Sequence, residues 1–180
     1  MQLIFHGAAR EVTGSCHQVR TDRANLLLDC GLIQGGSERH ERNRAEFEFD
    51  IGDIDAVVLS HAHIDHSGRL PLLRKRGYTG PIWCTRSTAK LLAILLPDSA
   101  RIHEEDARWK IKRLKKKGKD ASWVEPLYTE EDAEAVLESL RPVDFDESVS
   151  IAKGVTLEIA MAGHILGAGK IGRASCRERV

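Results

Sequence analysis

The chain has 180 residues, near the usual size of one domain and long enough to bury a sizeable core. Lys+Arg and Asp+Glu balance at 27 each, so no global field selects for nucleic acid or membrane, and any basic surface has to be local. The longest apolar runs, such as Leu91–Leu96, are far too short to span a bilayer.

The first thirty residues predict short strands over Leu3–Ala9, Cys16–Arg20 and Asn25–Gly31, punctuated by polar turns. Gly31–Asp50 is polar and glycine-punctuated, which predicts a loop with at most a helical turn. Ala56–Ser60 (AVVLS) is a continuous apolar run, the mark of a strand covered on both faces. Ser67–Gly77 predicts a short helix, Pro81–Thr85 the next strand, and Arg86–Leu96 a helix capped by Ser87 or Thr88. Pro97–Asp120 is helical and highly charged, and Tyr128–Arg141 predicts a further helix with Thr129 as its N-cap and acids in its first turn. Strands return at Ser148–Gly154 and Val155–His164. This alternation of strand and helix argues for an α/β layered fold. No signal peptide is read at the start, and Cys16, Cys30, Cys84 and Cys176 form no CxxC pair, so reduced thiols in the cytoplasm are expected. Cys30 has no evident partner and is expected to be a small buried residue.

The stretch Ala56–Pro71 ends its apolar strand with His61, His63, Asp65 and His66 inside six residues. If the strand stays extended as far as His63, His61 and His63 point to one side, because side chains alternate with period two. A turn before a helix at Ser67 would let Asp65 and His66 face the same space. Imidazole and carboxylate suit zinc or a similar divalent ion. Four candidates exceed what one catalytic ion with an open position needs, so two adjacent ions are the more economical reading. The competing reading makes Asp65 or Ser67 a helix cap and the histidines solvated loop residues. Three of the chain's eight histidines within six residues weigh against that.

HxHxDH after an apolar strand resembles the signature of the metallo-β-lactamase superfamily. Leu26–Gly31 (LLLDCG) and Ala162–Gly169 (AGHILGAG) agree with it, and Gly7–His17 (GAAREVTGSCH) with Asp29–Gly36 (DCGLIQGG) narrows the resemblance to the β-CASP branch of RNA- and DNA-cleaving enzymes. The resemblance implies an αββα sandwich, here its N-terminal half over residues 1–171. It implies a first zinc on His61, His63 and His164, a second zinc on Asp65 and His66, a catalytic role for Asp65, and Asp29 buttressing the site. RNA is the implied substrate, with no membrane partner. In the branch, a later strand ends in an aspartate that bridges both metals; no aspartate follows Asp146 here, so the second site is expected to be incomplete and the chain to be part of a larger enzyme. The strand over Val155–His164 is then expected to lack a neighbour, and the end over residues 172–180 (GRASCRERV) to be foreign to the fold.

Two other functions fit less of the chain. A hydrolase of the same fold acting on a small ester, thioester or lactam would not need the AREVTGS stretch, and a fragment that binds metal or RNA without turnover would need no bridging carboxylate. Arg108–Lys119 carries eight basic residues around Trp109. Glu104 and Asp106 stand four residues before Arg108 and Lys110, a stabilising helical spacing, so a solvated face is preferred there to an RNA grip. His6, His17, His40 and His103 are isolated and receive no ligand role.

Overall fold

The computed structural model describes residues 1–172. Six strands form one sheet in chain order: β1 (Gln2–Gly7), β2 (Cys16–Arg20), β3 (Asn25–Leu28), β4 (Ala56–Val58), β5 (Ile82–Thr85) and β6 (Leu140–Val143). β1 to β3 pair antiparallel through short turns, whereas β3 to β6 pair parallel. The parallel part is where the continuous apolar runs fall, since strands covered on both faces cannot alternate with polar residues.

Period-two alternation sorts the core into two clusters. Leu27 and Val57 face α3 (Leu70–Lys75), α4 (Arg86–Lys116) and α5 (Glu130–Ser139), while Leu26, Ala56 and Val58 face a hairpin of β7 (Val149–Ala152) and β8 (Val155–Leu157). The layers therefore run helix, sheet, second sheet, the order expected for one side of an αββα sandwich. Of α4, the buried positions Thr88, Leu92, Leu96 and Ala100 recur every fourth residue, and past Ala100 only Ala107 is buried. The first half of this helix is a packing element; the second projects beyond the sheet. No described helix is long and apolar enough to cross a membrane.

Several boundaries differ from the sequence expectation. The predicted helices over Arg86–Leu96 and Pro97–Asp120 are one helix of 31 residues that carries Pro97 internally. Its cap is Thr85, not Ser87 or Thr88: β5 stays extended through Thr85, so its hydroxyl accepts from the Thr88 amide and the helix starts at Arg86. Thr129 caps α5 in a full capping box with Asp132, as expected. That helix ends at Ser139, and the unexpected strand β6 follows. Pro142 restricts Arg141 to extended backbone, and as an edge strand β6 can accommodate a proline. The single strand expected over Val155–His164 is split: after β8, the Ile159 carbonyl accepts from the Asp146 amide, and a separate β9 (Ala160–Met161) pairs with β10 (Gly169–Lys170). So a neighbour is present over two residues at β9, while among the described residues β8 pairs only with β7, and Met161 and Leu166 nearby remain exposed. The polar stretch after Gly31 contains α1 (Arg39–Arg44). Of residues 172–180, to which a foreign tail was assigned, 173–180 lie outside the described residues.

Candidate metal centre

The centre is built where β3 and β4 end side by side. The Asp29 amide donates to the Val58 carbonyl at 3.0 Å, and Asp29 adopts a left-handed backbone (φ 58°), which turns the chain sharply at the end of β3. Residues 30–32 then lie against α2 (Ile64–Ser67). The amides of Cys30 and Leu32 donate to the carbonyls of His66 and Ile64, and the Arg69 amide donates back to Cys30. Gly31 sits in the middle of this seam, where a Cβ would overlap the Asp65 carbonyl oxygen. Only glycine allows so close an approach of two backbones.

The buried Asp29 carboxylate gathers four donors. Oδ1 accepts from the Ser60 amide at 2.8 Å; Oδ2 accepts from the hydroxyls of Ser15 and Ser60, each at 3.0 Å, and from His66 Nδ1 at 2.8 Å. Ser60 Oγ in turn lies 2.9 Å from His61 Nδ1. With the hydroxyl donating to Asp29, it can only accept from His61, so Nδ1 carries the proton and Nε2 presents its lone pair. The same carboxylate fixes His66 with its proton on Nδ1 and Nε2 free, 3.7 Å from Asp65 Oδ2.

His61 Nε2 lies 3.0 Å from His63 Nδ1, which lies 3.2 Å from His164 Nε2; the three nitrogens fall within 4.8 Å of one another. Three imidazole acceptors converging on one point cannot all be satisfied by protons shared between them. A divalent cation satisfies all three: a tetrahedral site with metal–nitrogen bonds of about 2.0–2.1 Å needs ligand atoms about 3.3 Å apart, close to the separations of 3.0 and 3.2 Å on either side of His63 Nδ1. Burial, with the nearby His66, pushes the His61 pKa down to about 4 against the pull of Asp29, so the ring is neutral and its lone pair available near neutral pH. Burial acts downward on His66 too, but the hydrogen bond and charge of Asp29, with Asp65, raise it overall.

The third histidine comes from a distant loop. Gly167, at φ 82°, turns this loop over the start of α4, and its carbonyl accepts from the hydroxyls of Thr85 at 2.7 Å and Thr88 at 3.0 Å. The Gly169 amide donates to the Ser60 carbonyl at 2.9 Å, tying the other end of the loop to the residue before His61.

Residues 9–169 match the metallo-beta-lactamase superfamily. The chain belongs to that superfamily. It is 39% identical to a ribonuclease of Thermus thermophilus over 93% of its own length and 33% of the relative's. With transcription termination factor FttA of Methanocaldococcus jannaschii it shares 34% identity over 93% of its length and 24% of the relative's. It thus spans a quarter to a third of these curated relatives. The Rm3 metallo-beta-lactamase superposes with a TM-score of 0.53 at 18% identity, covering 93% of this chain and 51% of that one, which is a likeness of fold.

Within this metallo-beta-lactamase domain, the six-residue cluster is arranged differently from the expected strand. β4 ends at Val58, and His63 already occupies the N-cap position of α2. His61 and His63 converge because the chain turns between them, not because a strand continues. Asp65 and His66 lie beside the three-histidine group rather than in it, among the described residues. Cys30 is buried as expected, and interaction with its thiol, together with burial, holds the Cys16 pKa well above its ordinary value. Ser15, Ser60 and Thr85 were not singled out in the sequence, and Thr88 only as a candidate helix cap, not for its bond to Gly167. Ser60, directly before His61, and Thr85, at a strand-to-helix boundary, carried a local signal; Ser15 did not.

Proposed function

We propose that this chain contributes the metal-binding half of a β-CASP-type hydrolase that cleaves RNA phosphodiester bonds, with zinc as its metal. The observation that carries the reading is the convergence of His61 Nε2, His63 Nδ1 and His164 Nε2 beside the Asp29–Ser60–His66 network. The ribonuclease among the relatives supports RNA as substrate. A first zinc would be held by the three histidines, and a second, in the complete enzyme, by Asp65 and His66 with further ligands. Zinc bound there supplies Lewis acidity and brings the pKa of water toward about 7.

The chain's own groups have separate tasks. Asp65, part-exposed in the first turn of α2, hydrogen-bonds the attacking water and aims its lone pair at phosphorus. Asp29 orients His66 directly and His61 through Ser60, and touches no substrate. The buried, free thiols of Cys16, Cys30 and Cys84 are in keeping with a reducing cytoplasm, where we place the protein.

The test is cleavage of a labelled RNA by the complete enzyme, set against hydrolysis of a chromogenic ester and a chromogenic lactam. RNA cleavage that chelation abolishes, that zinc restores, and that is lost in Asp65→Asn is the expected result. Turnover of the ester or lactam with RNA left intact would assign the fold to a small-molecule hydrolase instead.

A further inference from the structure

A second chemical feature stands at the far end of α4. At 1.5 Å per residue, Trp109 is about 35 Å along the helix from its start beside the His164 loop. From Arg108 to Lys119 there are eight basic residues and no acid. Of the two intrahelical pairs that the spacing allows, only Glu104–Arg108 forms, at 3.4 Å. Lys110 turns away from Asp106 and lies 4.4 Å over the Trp123 ring, while Arg113 lies 5.3 Å from the Trp109 ring. Among the described residues, no ion pair engages a cation from Lys110 to Lys119. The self-neutralised face expected from the sequence is therefore present only at its first residue.

The two indoles are 63% and 60% exposed, and both line a groove of about 980 Å³ against α1 and α3. Lys75 and Arg76, on the groove's other wall, already face Glu125 and Glu46. Glu41 and Asp106 also line the groove, so the excess positive charge comes from α4 beyond Asp106: Lys110 and Arg113 line the groove, and Lys112, Lys115, Lys116 and Lys117 continue past it. A protein partner would have to desolvate this charge and supply matching acids. A phosphate backbone neutralises it by releasing counterions, and bases stack on indole faces without regard to sequence. The bases of a duplex are already stacked on one another, so the indoles reach them only in a single strand.

We infer that the groove between Trp109 and Trp123, edged by the α4 cations, is an accessory binding surface for single-stranded RNA, separate from the histidine centre. The inference rests on the reading that the chain acts on RNA. Its test reads binding alone, with metal chelated, so it fails independently of the nuclease assignment. Anisotropy of a labelled oligouridylate of about 12 nucleotides is titrated with the 180-residue chain. Trp109→Ala with Trp123→Ala is expected to weaken binding about tenfold or more, while binding to a duplex of equal length is unchanged. Lys112→Glu, Lys115→Glu and Lys116→Glu together should reduce the slope of log affinity against log salt by about two units. In the wild-type chain, RNA should quench indole emission, a readout that needs no variant. Absence of binding, an affinity untouched by the tryptophan changes, or an unaltered salt slope would overturn the inference. So would a dimer in sedimentation that dissolves in the tryptophan variant while RNA affinity stays constant, which would give the groove to a second copy of the chain.

Discussion

Two sides of the histidine centre are held in different ways. On one side, His61, His63 and His66 rest on a seam in which backbone pairs with backbone, Cys30 and Leu32 against α2 and Gly31 against Ser15, with a buried carboxylate collecting four donors. On the other, His164 is exposed, and its loop is held chiefly by two threonine hydroxyls on the Gly167 carbonyl and one amide bond to Ser60. The first side is preorganised whether or not a metal is present, since buried backbone groups there have no alternative partner. The second can be loosened without disturbing the sheet. Two of the three converging imidazoles are thus set by the fold, and the third is delivered by a tether.

That difference can be broken in order of severity. His61→Ala with His63→Ala removes two of the three converging nitrogens and should eliminate tight zinc binding by the chain, measured as zinc retained after dialysis. Gly31→Ala forces a methyl into the Asp65 carbonyl and should cost more than about 4 kcal/mol or prevent folding, as judged by urea denaturation. Survival of that variant with near-native stability would mean the seam gives way easily. Asp29→Asn keeps the size but cannot serve as the anionic acceptor for Ser15, Ser60 and His66; zinc affinity should fall about 10–100-fold. Smallest is Thr85→Val, which removes one of the two hydroxyls on Gly167 and the α4 cap, expected to cost about 1–2 kcal/mol of stability and a few-fold in zinc affinity. If it weakened zinc more than Asp29→Asn does, the tether rather than the seam would be the controlling element.

The sequence made the seam side readable because its signals are local. An apolar run followed by His61, His63, Asp65 and His66 states both the strand and the site, and the resemblance carried by Leu26–Gly31 sets Asp29 beside it. The details that escaped depend on contacts far apart in the chain. Thr88 acquires its role only when Gly167, seventy-nine residues on, is brought over the start of α4. Ser15 matters because β2 runs antiparallel to β3 and sets it beside Asp29. Strand β6 was hidden by the helical pattern continuing into Leu140 and Arg141; pairing with β5 decides its state, not propensity. In the same way, four-residue spacing allowed Asp106 to pair with Lys110, but Trp123 offered that ammonium a competing surface.

The central claim is that His61, His63 and His164, held from the two sides of the centre, form a single metal site. X-ray absorption at the zinc edge of the loaded 180-residue chain, together with metal analysis, tests it most directly. The expected result is about one tightly held zinc per chain, with imidazole nitrogens at about 2.0–2.1 Å and no sulfur. A sulfur shell at about 2.3 Å, or zinc retained undiminished in His164→Ala, would contradict it.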